Sequence, residues 1–182
     1  PALYQRTAPG FEIGYTEADV ALGRSYKVQT TATELLGDTQ GAIDYLKNMP
    51  NTTDAIGTIG FCFGGHVAYL AATLPEIQAT ASFYGAGIAT MCPGEDRPSV
   101  DRTSEIGGTL YGFYGTVDPL IPLEQVDRIE AELKKCQIPH QIFRYEGANH
   151  GFICDRRDSY NADAAADAWE KVWQLFGTLK AG

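Results

Sequence analysis

Residues 56–73 read IGTIGFCFGGHVAYLAAT, and this stretch decides the fold. A short β-prone run ending at Phe61 meets a helix-forming run with almost no loop between them. One nucleophilic side chain, Cys62, stands at the junction, an arrangement called a nucleophile elbow. So sharp a turn strains the backbone at the nucleophile. The turn requires residues with little or no side chain two positions before and two positions after the nucleophile, where Gly60 and Gly64 stand.

The elbow predicts a reactive sulfur at Cys62. The side chain would lie at a helix N-terminus, where unpaired N–H groups and the helix dipole favour a thiolate. The backbone N–H of Phe63 would point the same way and can stabilise a developing oxyanion. Taken alone, the stretch fits equally well a buried structural cysteine in any strand–turn–helix unit. The interpretation therefore depends on partner residues elsewhere in the chain.

The composition is that of an ordinary globular protein. The chain has 182 residues, 44% hydrophobic and 20% charged, which predicts one domain spanning residues 1–182. No apolar run is long enough to cross a membrane, and a net charge of −9 disfavours nucleic acid as a partner. The four cysteines lack the spacing of a metal site and indicate reduced thiols in a cytoplasmic protein.

Hydrophobic periodicity predicts alternating strands and helices after the elbow. This alternation calls for an α/β fold with a mostly parallel sheet and helices on both faces. Strands are expected at 56–61, 77–84, 108–114 and 141–145, and helices at 16–29, 33–47, 67–73, 123–133 and 165–179. Residues 88–106, with Pro93, Gly94 and Pro98 among charged residues, are expected to form a long surface loop that can cover the site.

Three titratable residues follow three of the predicted strands: Cys62, Asp118 and His150. Because the carboxyl ends of parallel strands meet at one edge of a sheet, these side chains should converge. The order nucleophile, acid, histidine is that of α/β-hydrolases. In such a triad His150 accepts the thiol proton and returns it to the leaving group, and Asp118 orients the imidazole. Cys62 would carry the acyl group as a thioester.

Each of these residues also has a structural interpretation. Asp118 precedes a proline and can simply form a turn, and His150 can be an ordinary loop histidine. His66 and His140 are competing histidines, but neither is expected at a carboxyl strand end, so both are assigned structural roles. A catalytically silent binding protein that kept the fold therefore remains an alternative to an enzyme.

Four segments together resemble the dienelactone hydrolase (carboxymethylenebutenolidase) family, over nearly the whole chain. They are residues 60–65 (GFCFGG), 83–85 (FYG), 115–118 (GTVD) and 147–152 (GANHGF). The resemblance implies an α/β-hydrolase fold, no metal or organic cofactor, and opening of a small enol lactone such as a dienelactone. It also implies that Tyr84 lies close to the substrate. A general carboxylesterase acting on small esters is the alternative substrate class.

The family pattern is incomplete at the start of the chain. Members begin with strands that this sequence lacks, and those strands carry a second oxyanion donor and an acid that helps to activate the cysteine. We expect N-terminal strands of the same protein to complete the fold and the complete protein to be a monomer. Because the elbow strand is central in this fold, we expect residues 1–182 alone to leave one strand edge unpaired and not to fold as a monomer.

The family's carboxylate-binding arginines match this chain only loosely. The arginine that follows the catalytic histidine in the family meets Cys154 here, with Arg156 and Arg157 nearby. Arg24 loosely matches the second such arginine. The resemblance therefore implies substrate binding by Arg24, Arg156 and Arg157.

Overall fold

A computed structural model describes residues 1–179 and shows a sheet of four parallel strands in sequential order. The strands are β1 (Ile56–Phe61), β2 (Ile77–Phe83), β3 (Thr109–Gly115) and β4 (His140–Tyr145). The helices are α1 (Glu17–Lys27), α2 (Ala32–Lys47), α3 (Phe63–Ala71), α4 (Leu123–Lys135) and α5 (Ala162–Phe176). The strands and helices predicted from periodicity are therefore confirmed, with α3 beginning earlier than the apolar run indicated.

One face of the sheet carries a row of aromatic rings. Register pairs Phe61 with Phe83, Phe83 with Phe113, and Phe113 with Phe143, so four phenylalanines lie side by side across the strands. The rings of Phe83 and Phe113 stack at 4.2 Å between centroids. Trp169 of α5 lies 6.3 Å from Phe83, which shows that α5 covers this face. The fully buried rings of Phe83 and Phe113 supply much of the hydrophobic stabilisation of the sheet.

Helix α3 covers the opposite face at very short range. The hydroxyl of Ser82 in β2 donates a hydrogen bond to the carbonyl oxygen of Gly65 at 2.9 Å. A Cβ atom at Gly65 would overlap the carbonyl oxygen of Phe83. Glycine at this position therefore allows the helix backbone to contact the strand ends directly. Helices cover both faces of the sheet, as the sequence predicts.

Helices α1 and α2 precede the sheet, and each begins with a capping box. Thr16 and Asp19 satisfy each other's backbone N–H groups at the start of α1, and Thr31 and Glu34 do the same for α2. Leu35 of α2 is buried in the cluster that also holds residues 63 and 67 of α3. The N-terminal helices are thus fixed against the helix that follows the elbow.

Residues 88–106 differ from the exposed loop that the sequence predicts. The segment contains a 3₁₀ helix, Ser99–Glu105, and buries Ile88 and Val100 completely. The hydroxyl groups of Thr103 and Tyr69 in α3 are hydrogen-bonded at 2.5 Å. A 3₁₀ helix of seven residues is too short to give a readable periodicity, which explains the wrong prediction. The segment packs beneath α3 and does not line the cavities beside Cys62 described below.

Strand β1 pairs only with β2 among the described strands, so it is an edge strand here. Its residues Ile59 and Phe61 are 36% and 38% exposed. None of the helices within residues 1–179 combines the length and apolar character needed to span a bilayer.

Candidate active site

The backbone at the nucleophile elbow is strained. Cys62 has φ 55° and ψ −120°, a left-handed conformation that costs a non-glycine residue free energy. Its N–H donates to the carbonyl oxygen of Phe83 at 3.1 Å, so the residue still belongs to the sheet while α3 begins at the next position. The strain lifts the sulfur out of the sheet at the carboxyl end of β1, where the sequence predicts it.

Two glycines make this turn possible, and one of them differs from the prediction. A Cβ atom at Gly60 would overlap the carbonyl oxygen of Gly64, and Gly65 meets the backbone of β2 as described above. At Gly64 itself a Cβ atom would meet no neighbour within 4 Å. The expectation that the elbow requires glycine two positions after Cys62 is therefore wrong, because a side chain at Gly64 would meet no steric obstacle. The glycine that the close packing requires is Gly65.

His150 and Asp118 meet at the carboxyl edge of the sheet. Asp118 lies after β3 and His150 lies after β4, and Nδ1 of the imidazole is 2.8 Å from Oδ2 of the carboxylate. The other carboxylate oxygen accepts the N–H of Leu120 at 2.8 Å. The side chain of Asp118 is 1% exposed, and that of His150 is 10% exposed. Because a carboxylate can only accept, the hydrogen on Nδ1 is fixed and Nε2 is left for chemistry.

The second imidazole nitrogen faces the nucleophile. Within residues 1–179, Nε2 of His150 is buried and has no hydrogen-bond partner of ordinary geometry. Burial lowers the pKa of the imidazole, but the hydrogen bond to Asp118 and the neighbouring Cys62 sulfur outweigh it and raise that pKa to about 9. A buried nitrogen without a fixed partner is unusual, and it is the arrangement that a proton-transfer group needs.

The pKa of the Cys62 thiol is shifted in the opposite direction from that of His150. Burial raises the pKa of the thiol, but interaction with His150 and the backbone N–H of Phe63 reverses that effect. The positive charge of Lys27 adds to it, and the net pKa is below its ordinary value. The thiolate of Cys62 and the imidazolium of His150 therefore stabilise each other. The N–H of Phe63 faces the sulfur, where the sequence predicts an oxyanion donor.

Tyr84 stands beside these groups in an uncommon conformation. Its φ is 34°, its side chain is buried, and its ring centroid lies 5.0 Å from that of His150 in an edge-on arrangement. Burial raises the pKa of its phenol. Its N–H donates to the carbonyl oxygen of Phe113 at 2.8 Å, which holds the strained residue at the end of β2.

Two cavities open on the sulfur of Cys62. The aromatic cavity, of about 400 Å³, is lined chiefly by apolar groups from β1, β2, the loop after β4 and α5; these are Phe61, Tyr84, Ile153, Cys154 and Trp169. The cationic cavity, of about 410 Å³, is lined by groups from α1 and from the site itself; these include Arg24, Lys27, Phe63, Leu120 and His150. Tyr15, Cys62 and Arg157 line both cavities.

The predicted arginines separate into two groups. Arg24 and Arg157 line the cationic cavity, and the guanidinium of Arg157 lies 5.4 Å from the centroid of the Tyr15 ring. Arg156 is exposed and lines neither cavity. None of the described residues lining the cationic cavity carries a carboxylate. In a chain with net charge −9, this cavity therefore concentrates positive charge.

The two competing histidines lie apart from this chemistry. His66 is fully buried, with Nδ1 3.0 Å from the carbonyl oxygen of Ala86 and Nε2 2.7 Å from the hydroxyl of Ser99. Burial is the main cause that lowers the pKa of His66 to about 4, so the ring is neutral. His140 lies at the start of β4, with Nδ1 2.6 Å from the carbonyl oxygen of Ile138. The His66 ring connects α3 to the loop after β2 and to the 3₁₀ helix, whereas the contact of His140 is local.

Sequence reasoning missed several residues of the site. Lys27 lies 5.0 Å from the centroid of the Phe63 ring, and Tyr15 and Trp169 line the aromatic cavity. Trp169 lies on the apolar stripe of the helix predicted at 165–179, and such a stripe indicates core packing rather than a site. The cluster Arg24-Ser25-Tyr26-Lys27 was a readable signal, because two basic residues three positions apart share one face of a helix.

No group of three or more His, Cys, Asp or Glu side chains within residues 1–179 has an arrangement able to hold a metal ion. The groups gathered at Cys62 are instead a nucleophile, an imidazole, a carboxylate and a backbone N–H donor. This set is suited to acyl transfer.

Comparison with known proteins gives one consistent assignment. The sequence profile described as the dienelactone hydrolase family matches residues 1–180. A relative from Synechocystis named "Putative carboxymethylenebutenolidase" is 54% identical over 179 residues, covering 98% of this chain and 73% of the relative. A protein of the same name from Saccharolobus solfataricus is 33% identical over 145 residues, covering 79% of this chain and 51% of its own length.

Solved structures agree on the fold. The crystal structure of a "Putative Dienelactone Hydrolase" from Klebsiella pneumoniae has a TM-score of 0.85 at 23% identity and covers 97% of this chain and 72% of its own. A dienelactone hydrolase-like promiscuous phosphotriesterase from metagenomic libraries has a TM-score of 0.75 at 22% identity and covers 91% of this chain and 69% of its own. At these identities the likeness establishes the α/β-hydrolase fold. With the family profile spanning residues 1–180, the chain belongs to the dienelactone hydrolase family.

Proposed function

We propose that this chain hydrolyses a small enol lactone or ester through a triad of Cys62, His150 and Asp118. Family membership makes the chain a hydrolase of lactone or ester bonds. The observation that carries the finer proposal is the 2.8 Å contact between Nδ1 of His150 and Asp118, which leaves the buried Nε2 to interact with Cys62. This is the division of roles found in nucleophile–histidine–acid triads.

The first half of the reaction forms a thioester. The thiolate of Cys62 attacks the carbonyl carbon, a C–S bond forms, and the carbonyl electron pair moves onto oxygen. The N–H of Phe63 stabilises this oxyanion. When the oxyanion collapses, the C–O bond breaks and the leaving oxygen takes the proton from Nε2 of His150, which becomes neutral. In a lactone this step opens the ring, and the enol oxygen stays attached to the same molecule.

The second half restores the enzyme. Neutral His150 accepts a proton from water as the water oxygen attacks the thioester carbon. The resulting tetrahedral oxyanion collapses, the C–S bond breaks, and the thiolate of Cys62 leaves opposite an imidazolium. The product is a carboxylic acid, which ionises on release. Asp118 keeps the imidazole in one tautomer through both halves.

The cationic cavity favours substrates that carry a carboxylate. Arg24 and Arg157 would bind that group, and Lys27 adds a third positive charge where the lining has no carboxylate of its own. Arg156 has no part in this proposal because it lies outside both cavities. The substrate class is therefore an anionic lactone or ester.

We also propose that the protein acts in the cytoplasm. Cys62, Cys92, Cys136 and Cys154 are all unpaired, and the mechanism needs the first of them as a free thiol. Reduced thiols persist in the cytoplasm and are oxidised in secretory compartments.

Substitution of the nucleophile tests the proposal. In the full-length protein, Cys62→Ala should abolish hydrolysis of a dienelactone and of 4-nitrophenyl acetate, whereas Cys136→Ala should retain it. Cys136 serves as the control because it is also a half-buried free cysteine, at the end of α4 and away from both cavities. Iodoacetamide at neutral pH should label Cys62 before the other three thiols. Full activity in Cys62→Ala would show that another residue is the nucleophile and would overturn the proposal. Equal labelling of the four thiols with no turnover would instead identify a silent binding protein.

A further inference from the structure

The aromatic cavity has no role in the triad chemistry, although it opens directly on the nucleophile. Its walls include the rings of Phe61 and Trp169, which are each 38% exposed, and of Tyr84. Phe61 lies 6.2 Å from Trp169 and 6.5 Å from Tyr84, so the three rings form one continuous surface. The aromatic lining suits an apolar part of a substrate, because contact between the two removes apolar area from water.

Reaction geometry decides which part of a substrate reaches this cavity. The carbon bonded to the sulfur of Cys62 carries three other groups in the tetrahedral intermediate: the oxyanion, the leaving oxygen and the acyl substituent. The oxyanion must face the N–H of Phe63, and the leaving oxygen must reach Nε2 of His150. Phe63 and His150 both line the cationic cavity and not the aromatic one. The acyl substituent is therefore directed to the remaining space.

Tyr15 and Arg157 mark the boundary between the two spaces. Both residues line both cavities, and the guanidinium lies 5.4 Å from the centroid of the phenol ring. Arg157 can therefore bind an anionic group on the leaving side while its stem and Tyr15 contact an apolar group on the acyl side. The polarity of the lining thus changes from one side of the sulfur to the other.

We propose that the aromatic cavity is an acyl-binding subsite. It makes the enzyme selective for esters whose acyl part is larger than acetyl. Among lactones it favours those with an apolar substituent on the acyl side. A volume of about 400 Å³ lies within the usual range of small-molecule sites, roughly 300–1,000 Å³. Trp169 is the specificity-determining residue, because its ring lines the cavity from α5. This inference rests on the proposed function, since it assumes acyl transfer to Cys62.

A series of esters with one leaving group isolates the acyl side. We expect kcat/KM of the full-length protein to rise from 4-nitrophenyl acetate to the butyrate and hexanoate. Burial of each methylene group changes kcat/KM by about fourfold at most. The kcat/KM values for the butyrate and the acetate should therefore differ by about tenfold. In Trp169→Ala this ratio should fall by about threefold or more, because turnover of the butyrate falls more than turnover of the acetate. Trp169→Phe, which keeps a smaller ring and packs more safely, should give an intermediate ratio.

Trp173→Ala is the matched control. Trp173 lies on the same helix, is 69% exposed, stacks on Trp169 at 6.2 Å and lines neither cavity. Its removal should leave the acyl preference unchanged. A flat acyl series with turnover that still requires Cys62, or equal effects of the Trp169 and Trp173 substitutions, would overturn the subsite while leaving the triad intact. An effect of Trp169→Ala on leaving-group preference alone would also overturn it. Loss of Cys62-dependent turnover for every ester would instead overturn the proposed function.

Discussion

Nδ1 of His150 lies 2.8 Å from the carboxylate of Asp118, although 32 positions separate the two residues in the chain. The parallel order of β3 and β4 creates this contact, because each residue follows the carboxyl end of its strand. The carboxylate is itself held by the N–H of Leu120. The imidazole is therefore fixed before any substrate binds, which is the basis of catalysis by preorganisation.

Removal of this contact should impair catalysis far more than stability. In Asp118→Asn the amide can donate to Nδ1 and select the wrong tautomer, so kcat should fall by about 10⁴-fold. The pKa of His150 should also fall from its value of about 9, because the main group raising it loses its charge. Steady-state kinetics and an NMR titration of the imidazole measure the two effects. Glu146→Gln, an exposed change on the loop that carries His150, should alter neither.

The coupled pKa shifts predict the pH dependence of the thiol. The pKa of Cys62 is lowered and that of His150 is raised to about 9, so thiolate and imidazolium coexist between these two values. Alkylation of Cys62 by iodoacetamide should therefore rise with pH through a midpoint below that of an ordinary thiol. Hydrolysis, which also needs a proton on His150, should decline as pH rises through about 9.

His150→Gln provides the comparison for this pH profile. The substitution removes the imidazolium and leaves the burial of Cys62 in place, so the midpoint of alkylation should move to higher pH. An unchanged midpoint would show that the histidine does not stabilise the thiolate.

The elbow glycines predict opposite outcomes for two alanine substitutions. Gly60→Ala forces a Cβ atom onto the carbonyl oxygen of Gly64 and should destabilise the fold by about 3 kcal/mol or more. Gly64→Ala meets no neighbour and lies in the first turn of α3, so it should change stability by less than about 1 kcal/mol, in the stabilising direction. Urea denaturation of both variants measures the difference. Equal destabilisation would mean that the elbow backbone is not as described.

Charge in the cationic cavity predicts selectivity between anionic and neutral substrates. Arg157→Gln should lower kcat/KM for an ester with a carboxylate on its leaving group by about 10-fold, the order of one lost charge-assisted contact, with a smaller effect on the neutral ester. Arg24→Gln should act in the same direction. Arg156→Gln is the matched control, since this neighbouring arginine is exposed and outside both cavities. Equal losses for Arg156 and Arg157 would indicate only a general effect of net charge.

The sequence predicted the features that arise from local patterns. The run from Ile56 to Thr73 specified its own strand, turn and helix, because alternation, glycine and helix formers follow one another within a few residues. The convergence of Cys62, Asp118 and His150 followed from one topological rule, that parallel strands end at the same edge. The orientation of their side chains required the structure.

Features that depend on packing between distant segments could not be predicted. Lys27 reaches the site because α1 packs beside the start of α3, and Trp169 reaches it because α5 covers the row of phenylalanines. The basic face of α1 and the apolar stripe of α5 are visible in the sequence, but the packing of these helices against α3 and the phenylalanines is not. The error at residues 88–106 has the same origin, since the 3₁₀ helix that carries the buried Val100 packs against α3 and α4 and the neighbours of Val100 in the sequence are polar. The error at Gly64 came from assigning to this residue a close contact that Gly65 makes.

The central claim is that Cys62 carries the acyl group between the two halves of the reaction. Mass spectrometry of the full-length protein, quenched in acid during turnover of 4-nitrophenyl butyrate, tests it most directly. The account predicts a butyryl mass increase on the peptide that contains Cys62, labile to hydroxylamine and lost in Cys62→Ala together with activity. Turnover without any acyl adduct on that peptide, or an adduct on another residue that persists in Cys62→Ala, would contradict it.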